Sequence, residues 1–438
     1  MNLILLSGGS GKRLWPLSND IRSKQFIKMF RNEEGELESM LTRVFRQIVS
    51  VDPEARITIA TSKKQASTIK NQLGDRVNIC VEPERRDTFP AICLAASYLH
   101  DELQVSEDEA VVVCPVDPYV QDSYFEALKR LSELAEQGEA NLTLMGIEPT
   151  YPSEKYGYII PVTSEPISTV STFKEKPDEE TARAYIAQGA LWNGGVFAFK
   201  LGYLLKRAHE LIEFTDYRNL FSVYGEQKKI SFDYAVVEQE KQIQVLRYPG
   251  EWLDLGSWNT FTEAMASETI GKVTLDDHCK NTQVVNELNI PILCMGCEDM
   301  VVAASVDGIL VSSKDRSAHI KPYVEAIEQQ AMYAEKSWGS FTVLDVQEDS
   351  MTIKVVLLPD HKLSYHSHQH RNEVWTVMSG QGCVVTDGMR RIVRPGDVIT
   401  IPAGCKHTVI ADTELKLMEV QLGKEISVED KQKFDDVE

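Results

Sequence analysis

The sequence predicts three successive parts: an α/β domain, a small β connector, and a compact β-barrel or sandwich. Three observations carry that expectation. Apolar runs alternate with amphipathic stretches over about the first 265 residues, short β-branched runs take over after residue 271, and turns crowd together after residue 340. The chain has 438 residues, 43% hydrophobic and 26% charged, which suits a globular protein of two or three domains. We divide it into an α/β domain (1–268), a connector with a linker helix (269–335), a barrel (336–425) and a charged surface tail (426–438).

The elements follow from periodicity. Segments 2–6, 57–60, 110–114, 142–146 and 196–199 are short and apolar enough for buried strands, whereas 40–50, 88–103, 124–135 and 179–188 carry helical spacing. Such alternation reads as a sheet covered on both faces. In the connector, 283–285, 300–303 and 309–311 are β-branched runs broken by Asn, Asp and Gly, and 323–336 has the pattern of a helix. The barrel is punctuated at Ser379-Gly380, Asp387-Gly388, Pro395-Gly396 and Ala403-Gly404.

Charge narrows the function. With 46 basic and 66 acidic side chains the net charge is −20, which repels nucleic-acid backbones and anionic lipids, so neither nucleic acid nor membrane is expected as a partner. No apolar run reaches the ~20 residues of a membrane span, and MNLILLSGGS lacks the basic start of a signal peptide. Eight scattered cysteines fit reduced thiols in a cytoplasmic enzyme; Cys294 and Cys297 form one CxxC with no second pair to complete a zinc site.

Against that acidity, the stretch from Gly11 to Arg31 carries Lys12, Arg13, Arg22, Lys24, Lys28 and Arg31 with one acid, Asp20. It follows a first strand and the glycines of Ser7-Gly8-Gly9-Ser10-Gly11, which let backbone amides approach a phosphate. Neither the P-loop nor the dinucleotide pattern fits, since Leu6 stands where the former needs Gly and Leu14 where the latter does. Polyphosphate binding is the expected reason for the basic cluster.

GGSGKRLWPLS with Lys24-Gln25-Phe26 resembles the signature of the sugar-1-phosphate nucleotidyltransferases, especially mannose-1-phosphate guanylyltransferases. Further matches follow in order: Glu82-Pro83-Glu84-Arg85-Arg86-Asp87-Thr88, Val116-Asp117, Tyr156-Gly157-Tyr158-Ile159, Phe173-Lys174-Glu175-Lys176-Pro177, Trp192-Asn193-Gly194-Gly195-Val196-Phe197 and Trp252-Leu253-Asp254-Leu255-Gly256. The resemblance implies a Rossmann-like domain that passes GMP from GTP to mannose 1-phosphate, releasing pyrophosphate. The attacking phosphate is already ionised, its second pKa being ~6, so alignment and charge neutralisation suffice. It further implies Mg2+ on Asp117 and Asp254, with Arg13 and Lys24 on the triphosphate and Lys176 on the sugar phosphate. Leu6, Ser7, Gly8, Gly9, Gly11, Glu82, Asp87 and Thr88 would contact the nucleotide, and Gly157, Glu175, Asn193 and Gly194 the sugar. Trp192 and Phe197 are expected as core aromatics. Asp87 stands where guanylyl members commonly carry Asn, and Pro118 where they often carry His.

His366-Ser367-His368-Gln369-His370-Arg371-Asn372-Glu373 places three imidazoles and a carboxylate within eight residues, and on a strand 366, 368 and 370 would share a face. With Gly396 to His407 downstream, the spacing resembles both halves of the cupin motif. This implies a barrel holding Zn, Fe, Mn or Ni on His366, His368, Glu373 and His407. The segment also resembles the phosphomannose-isomerase half of bifunctional type II enzymes, implying interconversion of mannose 6-phosphate and fructose 6-phosphate. Departures are His366 for Gln, Ala411 for Asn, and a chain end of Phe434-Asp435-Asp436-Val437-Glu438 where the family has Tyr/Phe-Gly-Arg. The family often dimerises through the β connector. Two other readings stay open: a transferase for another base or sugar with a structural or regulatory barrel, and a non-catalytic nucleotide-sugar sensor.

Overall fold

The computed structural model describes residues 1–438 except 10, 20, 266, 328–330, 425, 428 and 436–438. Ser10 of the glycine loop and Asp20 therefore lie outside the described residues. The chain forms two compact units, residues 1–10 with 24–266, and residues 11–23 with 267–438.

The first unit is built on a nine-stranded sheet. Its order is Asn78–Glu82, Arg56–Ser62, Asn2–Ser7, Ala110–Pro115, Leu191–Lys200, Leu142–Ile147, Ile243–Tyr248, Ile167–Lys174 and Gly157–Pro161. The first four are parallel, and Leu191–Lys200 runs antiparallel between Ala110–Pro115 and Leu142–Ile147. The five strands expected in this domain are all present. After Asn2–Ser7 the chain adds its next two strands on one side and then crosses to the other, so a topological switch point opens beside the carboxyl ends of Asn2–Ser7 and Ala110–Pro115. Open α/β sheets bind ligands at such a crevice.

Helices cover the sheet. Ser39 caps Met40–Val51 by accepting from the Thr42 amide at 3.1 Å. Asp87 caps Thr88–Asp101 by accepting from the Thr88 amide at 2.8 Å. That helix is apolar almost all round because it is buried, with Phe89, Ile92, Leu94 and Leu99 in the core beside Val111, Val113, Leu144 and Phe197. Trp192 and Phe197 are buried as expected.

In the second unit the connector stacks Thr269–Ile270, Gln283–Asn286 and Met300–Ser305 in parallel, with Gly308–Ser313 antiparallel at the edge. A second parallel ladder joins Val273–Leu275 to Ile292–Cys294, giving short β-helix-like coils. Arg22, one of the basic residues of the N-terminal stretch, is spent here: its guanidinium forks onto both Glu287 carboxylate oxygens at 2.7 and 2.8 Å. The expected helix over 323–336 does not form. A short helix, Lys321–Glu325, ends early, and Tyr333–Lys336 is an edge strand paired with Gly339–Val346. Helical spacing there coincides with the alternation of an edge strand, and β pairing prevails.

The barrel consists of a six-stranded and a five-stranded sheet. Leu357, Trp375, Val377 and Leu417 from one pack against Val384, Val393 and Val409 from the other. The four expected turns each place their glycine at positive φ. The tail is not a free surface segment: Gln432–Lys433 pairs antiparallel with His366–Ser367 and becomes the last strand of the five-stranded sheet.

Leu144 is fully buried in the middle of the large sheet. Leu144→Ala leaves a cavity and should cost about 2–5 kcal/mol, read as a lower urea midpoint at unchanged slope.

Candidate active site and metal centre

Two cavities open at the switch point. The larger, about 410 Å³, is lined by Leu6, Ser7, Gly8, Gly9, Lys24, Glu82, Asp87, Thr88 and Asp117 among others. The second, about 260 Å³, is lined by Gly157, Glu175, Asn193, Gly194, Asp117 and Asp254 among others. They share Leu6, Thr88, Pro115 and Asp117. Most of the sequence-predicted nucleotide residues line one cavity and most of the sugar residues the other, while Gly11, Arg13 and Lys176 line neither. Gly11 and Arg13 fall in the stretch that clusters with the second unit.

The loop after the first strand is tied down from its own unit. Gln25 donates to Ser7 Oγ at 3.1 Å, Thr61 to the Ser7 carbonyl at 3.0 Å, and Gln65 to the Gly9 carbonyl at 3.3 Å. Opposite, Asp117 and Asp254 become neighbours because Trp252–Asp254 pairs antiparallel with Pro118–Val120, Asp254 facing Pro118. The ammonium of Lys24 stands between them, 2.8 Å from Asp117 Oδ2 and 3.7 Å from Asp254 Oδ1, and donates to the Leu255 carbonyl at 3.2 Å. Both carboxylates keep over a third of their surface open while the ammonium is mostly covered. A cation is therefore already favoured at this spot, and two carboxylates at a cavity edge fit a magnesium ion that completes its shell with phosphate oxygens.

The smaller cavity has a largely apolar lining that holds incompletely satisfied polar groups. Glu175 is buried, its Oε1 ion-paired with Lys176, while among the described residues its Oε2 has no hydrogen-bond partner and the Trp252 indole N–H is also unmatched. Buried polar atoms without partners are costly, and a ligand rich in hydroxyls would satisfy them. A Cβ on Gly157 would lie 2.5 Å from that same Glu175 oxygen, so only glycine leaves the carboxylate in place. Asn193 donates to Asp233 at 2.6 Å and accepts from the Gly195 amide at 3.1 Å. Asp233, Trp252, Tyr156 and Arg85 were not picked out from the sequence, and each lines one of the two cavities. Of these, Arg85, Tyr156 and Trp252 lie inside quoted motifs, and Asp233 alone lies outside them.

In the barrel, His366, His368 and His407 bring ring nitrogens within 4.8 Å of one another, all buried. Each Nδ1 lies on a backbone carbonyl: Ser364 at 2.6 Å, Asp430, and Cys405 at 3.0 Å. A carbonyl only accepts, so the proton sits on Nδ1 and the Nε2 lone pairs face inward, which is how metal-ligating imidazoles are held. Among the described residues His407 Nε2 is buried without a hydrogen-bond partner, 3.3 Å from Glu373 Oε2, while His368 Nε2 accepts from the Arg371 guanidinium at 3.0 Å and lies 3.2 Å from Glu373 Oε1. Burial, then the nearby Lys431 and His407 charges, push His366 down to about 2, which keeps the ring neutral. Burial would raise Glu373, but His407, His368 and Arg371 outweigh it and hold its carboxyl low. The three histidines form a triad suited to a divalent transition metal, with the Glu373 carboxylate beside His368 and His407. His370 does not join it: the strand ends at Ser367, the chain turns, and His370 is exposed.

Fold and site define a nucleotidyltransferase with a barrel that carries a buried histidine triad. Residues 2–270 match the family model described as nucleotidyl transferase, and 325–436 that described as mannose-6-phosphate isomerase C-terminal. The xanthan biosynthesis protein XanB of Xanthomonas campestris is 30% identical over 99% of this chain and 98% of its own. Mannose-1-phosphate guanylyltransferase of Klebsiella pneumoniae is 28% identical over 98% and 97%, and the alginate biosynthesis protein AlgA of Pseudomonas aeruginosa 28% over 99% and 96%. A solved structure from Thermus thermophilus, described as a mannose-1-phosphate geranyltransferase, superposes with a TM-score of 0.63 at 28% identity, covering 75% of this chain and 99% of its own. The chain belongs to the nucleotidyl transferase family. No helix among the described residues is long and apolar enough to cross a membrane.

Burial, then the Glu175 charge, raise Asp233 to about 6. The folded chain thus holds a proton there that the unfolded chain, with a carboxyl near 3.8, has lost. Stability should fall as pH rises through the window from about 4 to 6 and level off above it. Asp233→Asn should flatten that segment of a denaturation-versus-pH curve, by about 3 kcal/mol across the window.

Proposed function

We propose that this chain transfers GMP from GTP to mannose 1-phosphate with release of pyrophosphate, and that its barrel interconverts mannose 6-phosphate and fructose 6-phosphate on a divalent transition metal. The observation that carries the transferase reading is the meeting of two cavities at Asp117. A nucleotide along Ser7, Gly8, Gly9, Glu82 and Thr88 and a sugar phosphate along Gly157, Glu175, Asn193 and Gly194 would bring their phosphates to one edge.

A phosphate oxygen of the sugar attacks the α-phosphorus as the bond to the β-phosphate breaks and pyrophosphate leaves. Lys24 neutralises charge on the triphosphate, Lys176 holds the sugar phosphate, and Gly11 and Arg13 keep the phosphate role that the family resemblance implies. Magnesium held by Asp117 and Asp254 would supply charge neutralisation at the phosphates. The Lys24 ammonium now between these acids would then turn to the substrate. Glu175 Oε2 and the Trp252 N–H suit sugar hydroxyls because both lack partners. Asp87 lines the nucleotide cavity, where a carboxylate can accept from a guanine edge. These substrates imply work in the cytoplasm.

A second reading, another base or sugar such as a manno-heptose, rests on Asp87 and Pro118. A nucleotide–sugar panel separates the two by pyrophosphate release. GTP with mannose 1-phosphate should be the preferred pair; a different preferred pair overturns our reading.

Asp117→Asn and Asp254→Asn should each lower kcat by at least about 100-fold, whereas a nucleotide-sugar sensor would have no turnover to lose. In the barrel, His366→Ala should abolish metal-dependent fructose 6-phosphate formation while leaving pyrophosphate release unchanged.

A further inference from the structure

The C-terminal segment reads from its charge as a solvated tail, yet it touches each residue from Tyr365 to Arg371 in turn. The Phe434 amide donates to the Tyr365 carbonyl at 2.9 Å. Lys433 pairs with His366 and Gln432 with Ser367. The His368 ring donates from Nδ1 to the Asp430 carbonyl. The amides of Gln369 and His370 donate to the two Asp430 carboxylate oxygens at 2.9 and 3.0 Å. Arg371 donates to the Ser427 carbonyl at 2.8 Å, and the same guanidinium donates to Glu373 at 3.0 Å. Lys406, beside the fourth member of the donor set, places its ammonium 4.2 Å from the Phe434 ring centre.

We propose that this segment is a strap forming the outer shell of the barrel's metal centre, with Asp430 as its positioning residue. The inference rests on reading His366, His368, Glu373 and His407 as metal ligands. His366 and His407 take their Nδ1 acceptors from Ser364 and Cys405, each two residues away in the chain. His368 alone takes its acceptor from a segment about sixty residues distant in sequence. Its tautomer and ring plane are therefore set only when the strap is docked. The Asp430 carboxylate holds the turn after His368 in the same docked state. Metal binding and strap docking are then linked, and linkage is reciprocal: each strengthens the other by the same factor. Outer partners of ligating histidines typically alter metal affinity 10–100-fold.

The test is a Co2+ titration of metal-free protein followed by visible absorption, with His366→Ala as the blank. Ending the chain at Lys424 should weaken Co2+ binding at least 10-fold. Asp430→Ala, which leaves the strand pairing in place, should weaken it several-fold and decides the matter if the shortened chain does not fold. Reciprocally, Co2+ should slow amide exchange at Gln369, His370 and Phe434 in the full chain. Equal Co2+ affinity in the full chain and a folded Asp430→Ala variant overturns the strap. No Co2+ binding by the full chain overturns the metal reading and the strap together.

Discussion

The ammonium of Lys24 balances two carboxylates, Asp117 and Asp254, that the strand pairing of Trp252–Asp254 with Pro118–Val120 forces to one edge of the switch point. Two acids brought so close repel unless a cation lies between them. The large sheet supplies the geometry for that concentration of charge. Parallel strands end together, their carboxyl ends deliver Ser7 and Asp117 to one crevice, and the buried helix behind them stiffens the floor. A chain of net charge −20 thus keeps a cation position at the place where anionic substrates must meet.

A second constraint runs through both candidate sites: polar groups are buried in states that await a partner. Glu175 Oε2 and the Trp252 N–H in the smaller cavity, and His407 Nε2 in the barrel, have no hydrogen-bond partner among the described residues. Particular neighbours, by contrast, are committed, as with Asn193 to Asp233 or His366 to the Ser364 carbonyl. Commitment of the surroundings and incompleteness at the centre are what preorganised binding sites require.

The sheet, its covering helices and the barrel turns were legible because burial imposes period 2 or 3.6 and because turns select glycine, as at Gly380, Gly388, Gly396 and Gly404. The site residues were legible through ordered motifs, and the two cavities collect most of them. What escaped has a physical pattern. Asp233 reaches its cavity through tertiary packing that no local spacing records. The stretch 323–336 carries a helical period that edge pairing at Tyr333–Lys336 overrides. The charged tail looks solvent-bound because its docking uses mainly backbone groups, one Asp and a single aromatic, Phe434, rather than a periodic apolar face. The basic N-terminal stretch divides its work: Lys24 lines the nucleotide cavity, while Arg22 forks onto Glu287 and Arg31 donates to the Gly35 carbonyl.

The most direct measurement is a crystal structure with Mn2+ and GTP, collected for anomalous scattering from the metal. The account predicts a manganese peak between Asp117 and Asp254, with the Lys24 ammonium displaced toward the phosphates. A manganese ion bound to the triphosphate away from both aspartates, with Lys24 still seated between them, would contradict it.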